Sequence, residues 1–247
     1  MVGLLVIVGM AIGAMSGFFG IGGGTMLVPT LMLLGYDIKT AIGISVMQMV
    51  FSSVYGSWLN HRKGHLNLKE GGVIGLGGFV GALGSGWLLK VLPSIVLELA
   101  FVGVVGFAIY RFIKAPSHID ENEGHDLSPV VLFAVGALIG LLAISMGIGG
   151  SILLTPILVG MLHYPLKKAV SAGLFFVVFS SVSGFISLSL SGHIDYRDGF
   201  IIGIASLIGV QFGIWLAGRT HHKKHKRALI VLYSIILLLM VKKIVLG

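Results

Sequence analysis

Gly20-Ile21-Gly22-Gly23-Gly24-Thr25-Met26-Leu27-Val28-Pro29 returns later in the chain as Gly147-Ile148-Gly149-Gly150-Ser151-Ile152-Leu153-Leu154-Thr155-Pro156. Both copies lie in apolar surroundings, where carrying an α-helix through the glycines costs about 1 kcal/mol per glycine relative to alanine. Each copy therefore reads as a break in a helical segment. Lipid offers no partners to the N–H and C=O groups that a break frees, so such backbone must be buried in protein or line a cavity. Two copies imply two halves, and the two breaks are the first candidates for a site.

Around them the chain is 56% hydrophobic and 11% charged over 247 residues, with a mean hydropathy of +1.03. Soluble domains carry roughly a quarter charged residues, so the composition implies an integral membrane protein with the lipid bilayer as its surroundings. The absence of cysteine excludes disulfides, thiolate metal sites and a cysteine nucleophile. The net charge of +8 comes from lysine and arginine clustered between apolar runs. That is the signature of the positive-inside bias and not of nucleic-acid binding. Met1 to Phe18 has no basic start and no clear small-residue cleavage site, and reads as a retained span.

In order, the pattern predicts a span over Val2 to Phe19, the first break, and a short apolar piece through Leu34. Helices follow at Ile38 to Leu59, Gly71 to Leu92 and Pro93 to Ile113. Gly71, Gly75, Gly77, Gly78 and Gly81 invite close helix packing. The polar stretch with Asp120, Glu121, Glu123 and Asp126 reads as a flexible linker. Residues 1–114 and 128–247 then form two transmembrane repeats joined by 115–127. The second repeat runs through Ser128 to Ser145, the second break, a short piece to Tyr164, and helices at Leu166 to Leu190, Arg197 to Ala217 and Ala228 to Val245.

The repeat extends well beyond the glycines. A shift of 128 pairs Tyr36 with Tyr164, Phe51-Ser52-Ser53-Val54 with Phe179-Ser180-Ser181-Val182, Gly64-His65 with Gly192-His193, and Trp87-Leu88 with Trp215-Leu216. Charge separates two ways of arranging the halves. An inverted layout gathers Arg62, Lys63, Lys69, Arg111, Lys114, Lys167, Lys168, Arg219, Lys223, Lys224, Lys226 and Arg227 on one face, twelve of the 17 basic residues. The best parallel layout divides them almost evenly. The basic-inside bias favours inverted repeats, with the loops near Arg62 and Lys223 cytoplasmic and both chain ends outside. Gly147 to Thr155, if extended, covers most of the membrane core before a helix begins at Pro156.

Proline suits the first residue of a helix, and Thr155 before Pro156 suits a cap, so a helix is expected to start at Pro29 and at Pro156. Helix N-termini and successive glycine N–H groups hold oxyanions without a basic side chain. The candidate substrate-binding residues are Gly20, Gly22, Gly23, Gly24, Thr25, Gln48, Gly147, Gly149, Gly150 and Ser151. The competing reading is that the glycines only let backbones approach and the hydroxyls bond back to their own helices.

Other candidates carry less. Apart from Asp198 in the first turn of its helix, Glu98 is the only carboxylate inside a long helix and reads as interfacial, against the demands of a cation pathway. His65 and His193 occupy equivalent loop positions and read as caps of the next helix, and His221-His222-Lys223-Lys224-His225 as a solvated cytoplasmic loop. A phosphate loop, a zinc-protease helix and a nucleophile elbow are all lacking, so no catalytic residue, metal site or cofactor is expected.

The chain resembles the sulfite exporter TauE/SafE family of permeases. The likeness rests on Gly17-Phe18-Phe19-Gly20-Ile21-Gly22-Gly23-Gly24 with Pro29, on Gly147-Ile148-Gly149-Gly150 with Pro156, and on the duplicated layout. It implies an outward carrier of small sulfur-containing anions such as sulfite, thiosulfate or sulfonates, in a bacterial cytoplasmic membrane. Ser151 stands where the first copy has Gly24, a departure from strict symmetry. The expected fold is an all-α multi-pass membrane protein of two repeats, about eight long helices and two short segments, working by alternating access. A cation or metal carrier, or a non-transporting scaffold, is the alternative, and homodimerisation is left open.

Overall fold

The computed structural model describes residues 2–63, 68–114, 128–160, 166–220 and 222–246, and the expected linker, His65 and Tyr164 lie outside them. Among the described residues the regular structure is helical. The first half holds α1 (Val2–Phe19), α2 (Gly24–Leu33), α3 (Ile38–Arg62), α4 (Leu68–Ala82), α5 (Ser85–Val91) and α6 (Ser94–Lys114). The second holds α7 (Pro129–Ser145), α8 (Ser151–Gly160), α9 (Leu166–Leu190), α10 (Tyr196–Arg219) and α11 (His222–Leu246). Among the described residues six segments are long and apolar enough to cross a membrane, and α2 and α7 are shorter apolar helices. Large apolar side chains such as Ile7, Leu138, Ile208 and Leu238 face outward, as lipid requires. The chain is a multi-pass membrane protein.

Glycine sets the directions in which helices pair. Gly9, Gly13 and Gly17 of α1 lie against Ile202, Ser206 and Val210 of α10, so the two helices run parallel with their backbones touching. Gly77 and Gly81 of α4 meet Phe133 and Ala137 of α7 in the same sense. Parallel contacts also join α3 to α10, where Met47, Phe51 and Tyr55 meet Gly199, Gly203 and Gln211. On the other side, Phe175 and Phe179 of α9 cover Gly71 and Gly75 of α4, and Ser183 donates to the Phe79 carbonyl.

The helix α3 crosses α9 in the opposite sense. Gly56 meets Leu174, while Ser53 and Ser181, 128 residues apart in sequence, bring their hydroxyls to 3.5 Å. Likewise Glu98 near the start of α6 lies within electrostatic range of Lys243 near the end of α11, the helix packed against it. Each pairing has its counterpart under the sequence shift: α1 with α10 and α7 with α4, α3 with α10 and α9 with α4, α2 with α11 and α8 with α6.

Three expectations need correction. The helix expected over Gly71 to Leu92 is interrupted at Leu83-Gly84 and continues as α5. The Gly84 N–H closes the turn on the Gly81 carbonyl, and the buried Ser85 hydroxyl donates to the Ala82 carbonyl at 2.7 Å. The last helix begins at His222, not Ala228, so His222 to His225 of the basic stretch expected to be a solvated loop supply helical turns, while His221 lies outside the described residues. His225 within it is buried, its ring stacked on Phe18 at 4.8 Å and edge-on to Phe19. Finally, the cap of α10 is Asp195, whose carboxylate accepts from the Asp198 N–H at 3.1 Å, rather than His193.

Candidate functional site

Both breaks are compact turns. Gly20, Gly22 and Gly23 have φ of 68°, 76° and 88°, and Gly147, Gly149 and Gly150 have φ of 69°, 83° and 91°. Left-handed backbone of this kind is open to glycine at little cost and strained for other residues, which explains why three glycines recur at the same spacing. The turn reverses the chain. Gly24 sits beside Ser45, the eighth residue of α3, and only Leu34 to Asp37 separate the end of α2 from the start of α3. So α2 runs antiparallel to α3 and, through the parallel α3–α10–α1 packing, antiparallel to α1. The pair α1–α2 is a helical hairpin with its turn buried at mid-depth.

The helices after the breaks start earlier than expected. α2 begins at Gly24, capped by Gly23, and α8 begins at Ser151. Pro29 and Pro156 are the sixth residues of these helices, and Thr155 is inside α8 instead of capping it. The extended crossing over Gly147 to Thr155 does not form. Three positive-φ glycines reverse the chain within a few residues, so helical geometry is recovered well before the proline.

The two turns meet at the centre of the protein. A Cβ built on Gly22 or on Gly149 would in each case meet both the Met49 sulfur and the Val177 methyls, so this side-chain pair separates the breaks. Gly24 lies against the Gly147 carbonyl, to which Ser45 Oγ donates at 2.9 Å. Ser52 Oγ donates to the Gly22 carbonyl at 3.0 Å, and Ser180 Oγ donates to the Gly149 carbonyl at 3.2 Å. These serines tie the carbonyl side of each turn to α3 and α9.

The donor side is left open. Among the described residues, the N–H groups of Gly22, Gly23, Gly24, Gly149, Gly150 and Ser151 find no carbonyl, because the first bonds of α2 and α8 close only from Met26 and Leu153. The whole of Ile21 to Thr25 and of Gly147 to Thr155 is buried. Gln48 is fully buried with neither amide atom partnered, and the hydroxyls of Thr25, Ser151 and Thr155 are likewise unpartnered. Buried polar groups without partners cost about 1–3 kcal/mol each. Here they converge on two helix N-termini, whose partial positive charges add to the attraction for an anion.

The surroundings of the two turns differ. A Cβ on Gly23 would lie 2.7 Å from Gln48 Oε1, whereas on Gly150 it would meet the ring of Phe176, the residue 128 positions after Gln48. Ser45 faces Gly24, while Gly173 faces Ser151, a reciprocal exchange of hydroxyl and hydrogen. All ten residues expected to bind substrate thus lie at or against the two turns. Ser45, Met49 and Val177 were not among them. The shift of 128 carries the signal that finds them, since it aligns Ser45 with Gly173, Gln48 with Phe176 and Met49 with Val177.

Elsewhere, Tyr36 donates a short hydrogen bond to Asp198, tying the α2–α3 turn to the start of α10. Burial, then this carboxylate, pushes its hydroxyl up to about 12. Burial and the nearby Lys39 and Lys90 hold His193 below the ordinary histidine range.

The chain matches the family model described as sulfite exporter TauE/SafE over residues 5–240. It is 30% identical over 221 residues to "Probable membrane transporter protein MJ0441" of Methanocaldococcus jannaschii, covering 84% of this chain and 80% of that protein. Two Bacillus subtilis proteins, "Probable membrane transporter protein YunE" and "YdhB", are 24% and 25% identical, with 96% and 87% of this chain covered and 94% and 89% of theirs. No solved structure matches it significantly.

Proposed function

The chain belongs to the sulfite exporter TauE/SafE family, and from that membership we propose an outward carrier of small sulfur-containing anions: sulfite, thiosulfate, a sulfonate or a related organosulfur acid. It is a membrane transporter, which we place in a bacterial cytoplasmic membrane and assign no catalytic chemistry. The observation that carries the anion reading is the convergence of unpartnered buried donors: six glycine and serine N–H groups, the Gln48 amide, and the hydroxyls of Thr25 and Ser151. An oxyanion between the turns accepts from them, and that charge-assisted bonding offsets the desolvation these groups carry when the site is empty.

Two inverted repeats, 1–114 and 128–247, are our reading of the helix pairing. It is supported by the antiparallel crossing of α3 and α9 at Ser53 and Ser181, residues equivalent under the shift. Carriers with such repeats hold substrate on broken helices at mid-membrane and expose it alternately by moving one part against the other. In this chain the hairpins α1–α2 and α7–α8 reach the centre from opposite faces, so each half contributes one turn and one donor-bearing helix end. Flux from proteoliposomes loaded in turn with sulfite, thiosulfate and a sulfonate tests the proposal. Saturable efflux competed by the other anions is expected, and no flux of any of the three overturns it.

A further inference from the structure

We propose that the groove between α3 and α10 is a binding site for an anionic phospholipid of the leaflet at which these two helices end. The groove is open on its outer side, offers about 550 Å³ and is lined by Val50, Phe51, Val54, Tyr55, Trp58 and Leu207. Its wall is almost wholly apolar, and from Val50 to Trp58 it follows α3 for about 12 Å at 1.5 Å per residue. That covers most of the depth of one leaflet's hydrocarbon, roughly 15 Å, and ends one turn before Arg62, so an acyl chain lies along it with its headgroup at the helix ends.

Those ends are cationic. Arg62 lies over the Trp58 ring at 4.3 Å and Arg219 over the Trp215 ring at 4.1 Å, each on a helix that finishes at this face. Lys63 reaches across from α3 to the Ile214 carbonyl of α10 at 3.5 Å. Among the described residues no carboxylate pairs with these cations, so a phosphate finds its charge complement there. Tyr55, bonded to Gln211 at 3.2 Å and stacked on Trp58, closes the groove wall between the two helices.

The opposite half shows that the fold does not demand this surface. Under the 128-residue shift Tyr55, Trp58, Arg62 and Lys63 become Ser183, Ile186, Leu190 and Ser191. Ser183 spends its hydroxyl on the Phe79 carbonyl of the neighbouring helix. The aromatic and basic residues of α3 are therefore specific to one half, whereas Trp215 of α10 keeps a counterpart in Trp87.

Fluorescence of Trp58 reads occupancy directly. Full-length W87F/W215F protein is reconstituted in phosphatidylcholine bilayers containing a fixed minor fraction of brominated lipid, either phosphatidylglycerol or phosphatidylcholine. We expect brominated phosphatidylglycerol to compete for the groove about fivefold better, near the effect of one interfacial cation, and R62Q to abolish the preference. Added inorganic phosphate leaves it unchanged if the whole lipid is held, and displaces it if only an anion is bound, which overturns the assignment. Equal quenching by both lipids overturns it too. So does an equal preference at Trp87 in the W58F/W215F protein, which would indicate bulk attraction to the surface. Should the double variants not fold, native mass spectrometry of the unaltered protein and of R62Q counts retained phosphatidylglycerol against phosphatidylcholine, and equal retention by the two proteins overturns the site.

Discussion

Gln48 holds both amide atoms in a fully buried position without a partner, so the folded chain carries their desolvation uncompensated. A residue kept only for packing has no reason to be polar there. Gln48→Leu removes the amide while keeping most of the volume, and we expect it to stabilise the protein by about 1–3 kcal/mol. The same change should lower anion flux by at least about tenfold, as the loss of one charge-assisted hydrogen bond implies. Opposite signs in a thermal melt and in proteoliposome flux separate a binding role from a structural one. A variant with unchanged flux removes Gln48 from the site. Gly23→Ala is less informative, because φ of 88° and the closeness of Ile12 and Gln48 make it a folding lesion as well. His193 supplies a pH dependence. Its folded-state value lies below the ordinary histidine range, so the unfolded chain binds the proton more readily and stability falls as pH drops through about 6.5. His193→Gln should flatten the melting temperature between pH 7.5 and 5.5, and an unaltered slope would assign the dependence to other groups.

At the scale of elements, glycine works in two ways that a melt can tell apart. A Cβ on Gly77 or Gly81 meets the backbone carbonyl of Phe133 or Ala137, so alanine must push α4 away from α7. Overpacking of this kind costs about 1–3 kcal/mol. Gly103 and Gly106 of α6 have nothing near their Cβ positions, and alanine there should be neutral or should stabilise by up to about 1 kcal/mol through helix propensity. If all four variants melt alike, close helix approach is not what the α4 glycines provide. The elements also show what a sequence conveys. The breaks were legible because clustered glycines cannot hold a helix cheaply, and the packing helices because small residues recur every few positions. The start of α2 was not, since Pro29 signals a first turn while the turn glycines had already restored helical geometry five residues earlier. Nor was the interruption at Leu83-Gly84, since a single Gly84-Ser85 step also fits an unbroken packing helix, and only the structure shows the Ser85 hydroxyl turned back on the Ala82 carbonyl. The site's donors were legible by type, but their convergence depends on α3 crossing α9, which no local pattern encodes.

At the scale of the molecule, orientation is testable without knowing the substrate. Parallel packing of α1, α3 and α10 places the ends of α3 and α10 on one face, and the antiparallel crossing with α9 puts the start of α10 on the other. Twelve of the 17 basic residues then share the first face, which the positive-inside bias makes cytoplasmic. The chain contains no cysteine, so single cysteines introduced at Lys63, Arg197 and Lys224, all exposed, report sidedness without background. In intact cells a membrane-impermeant maleimide should label position 197 and spare positions 63 and 224 until the membrane is opened. Labelling of 63 and 197 from the same side excludes inverted repeats, because it leaves α3 and α10 no common direction through the bilayer. The mirror-image result, with 63 and 224 labelled outside, would keep the helix arrangement and overturn only the charge argument, since reversing the whole molecule preserves every internal contact.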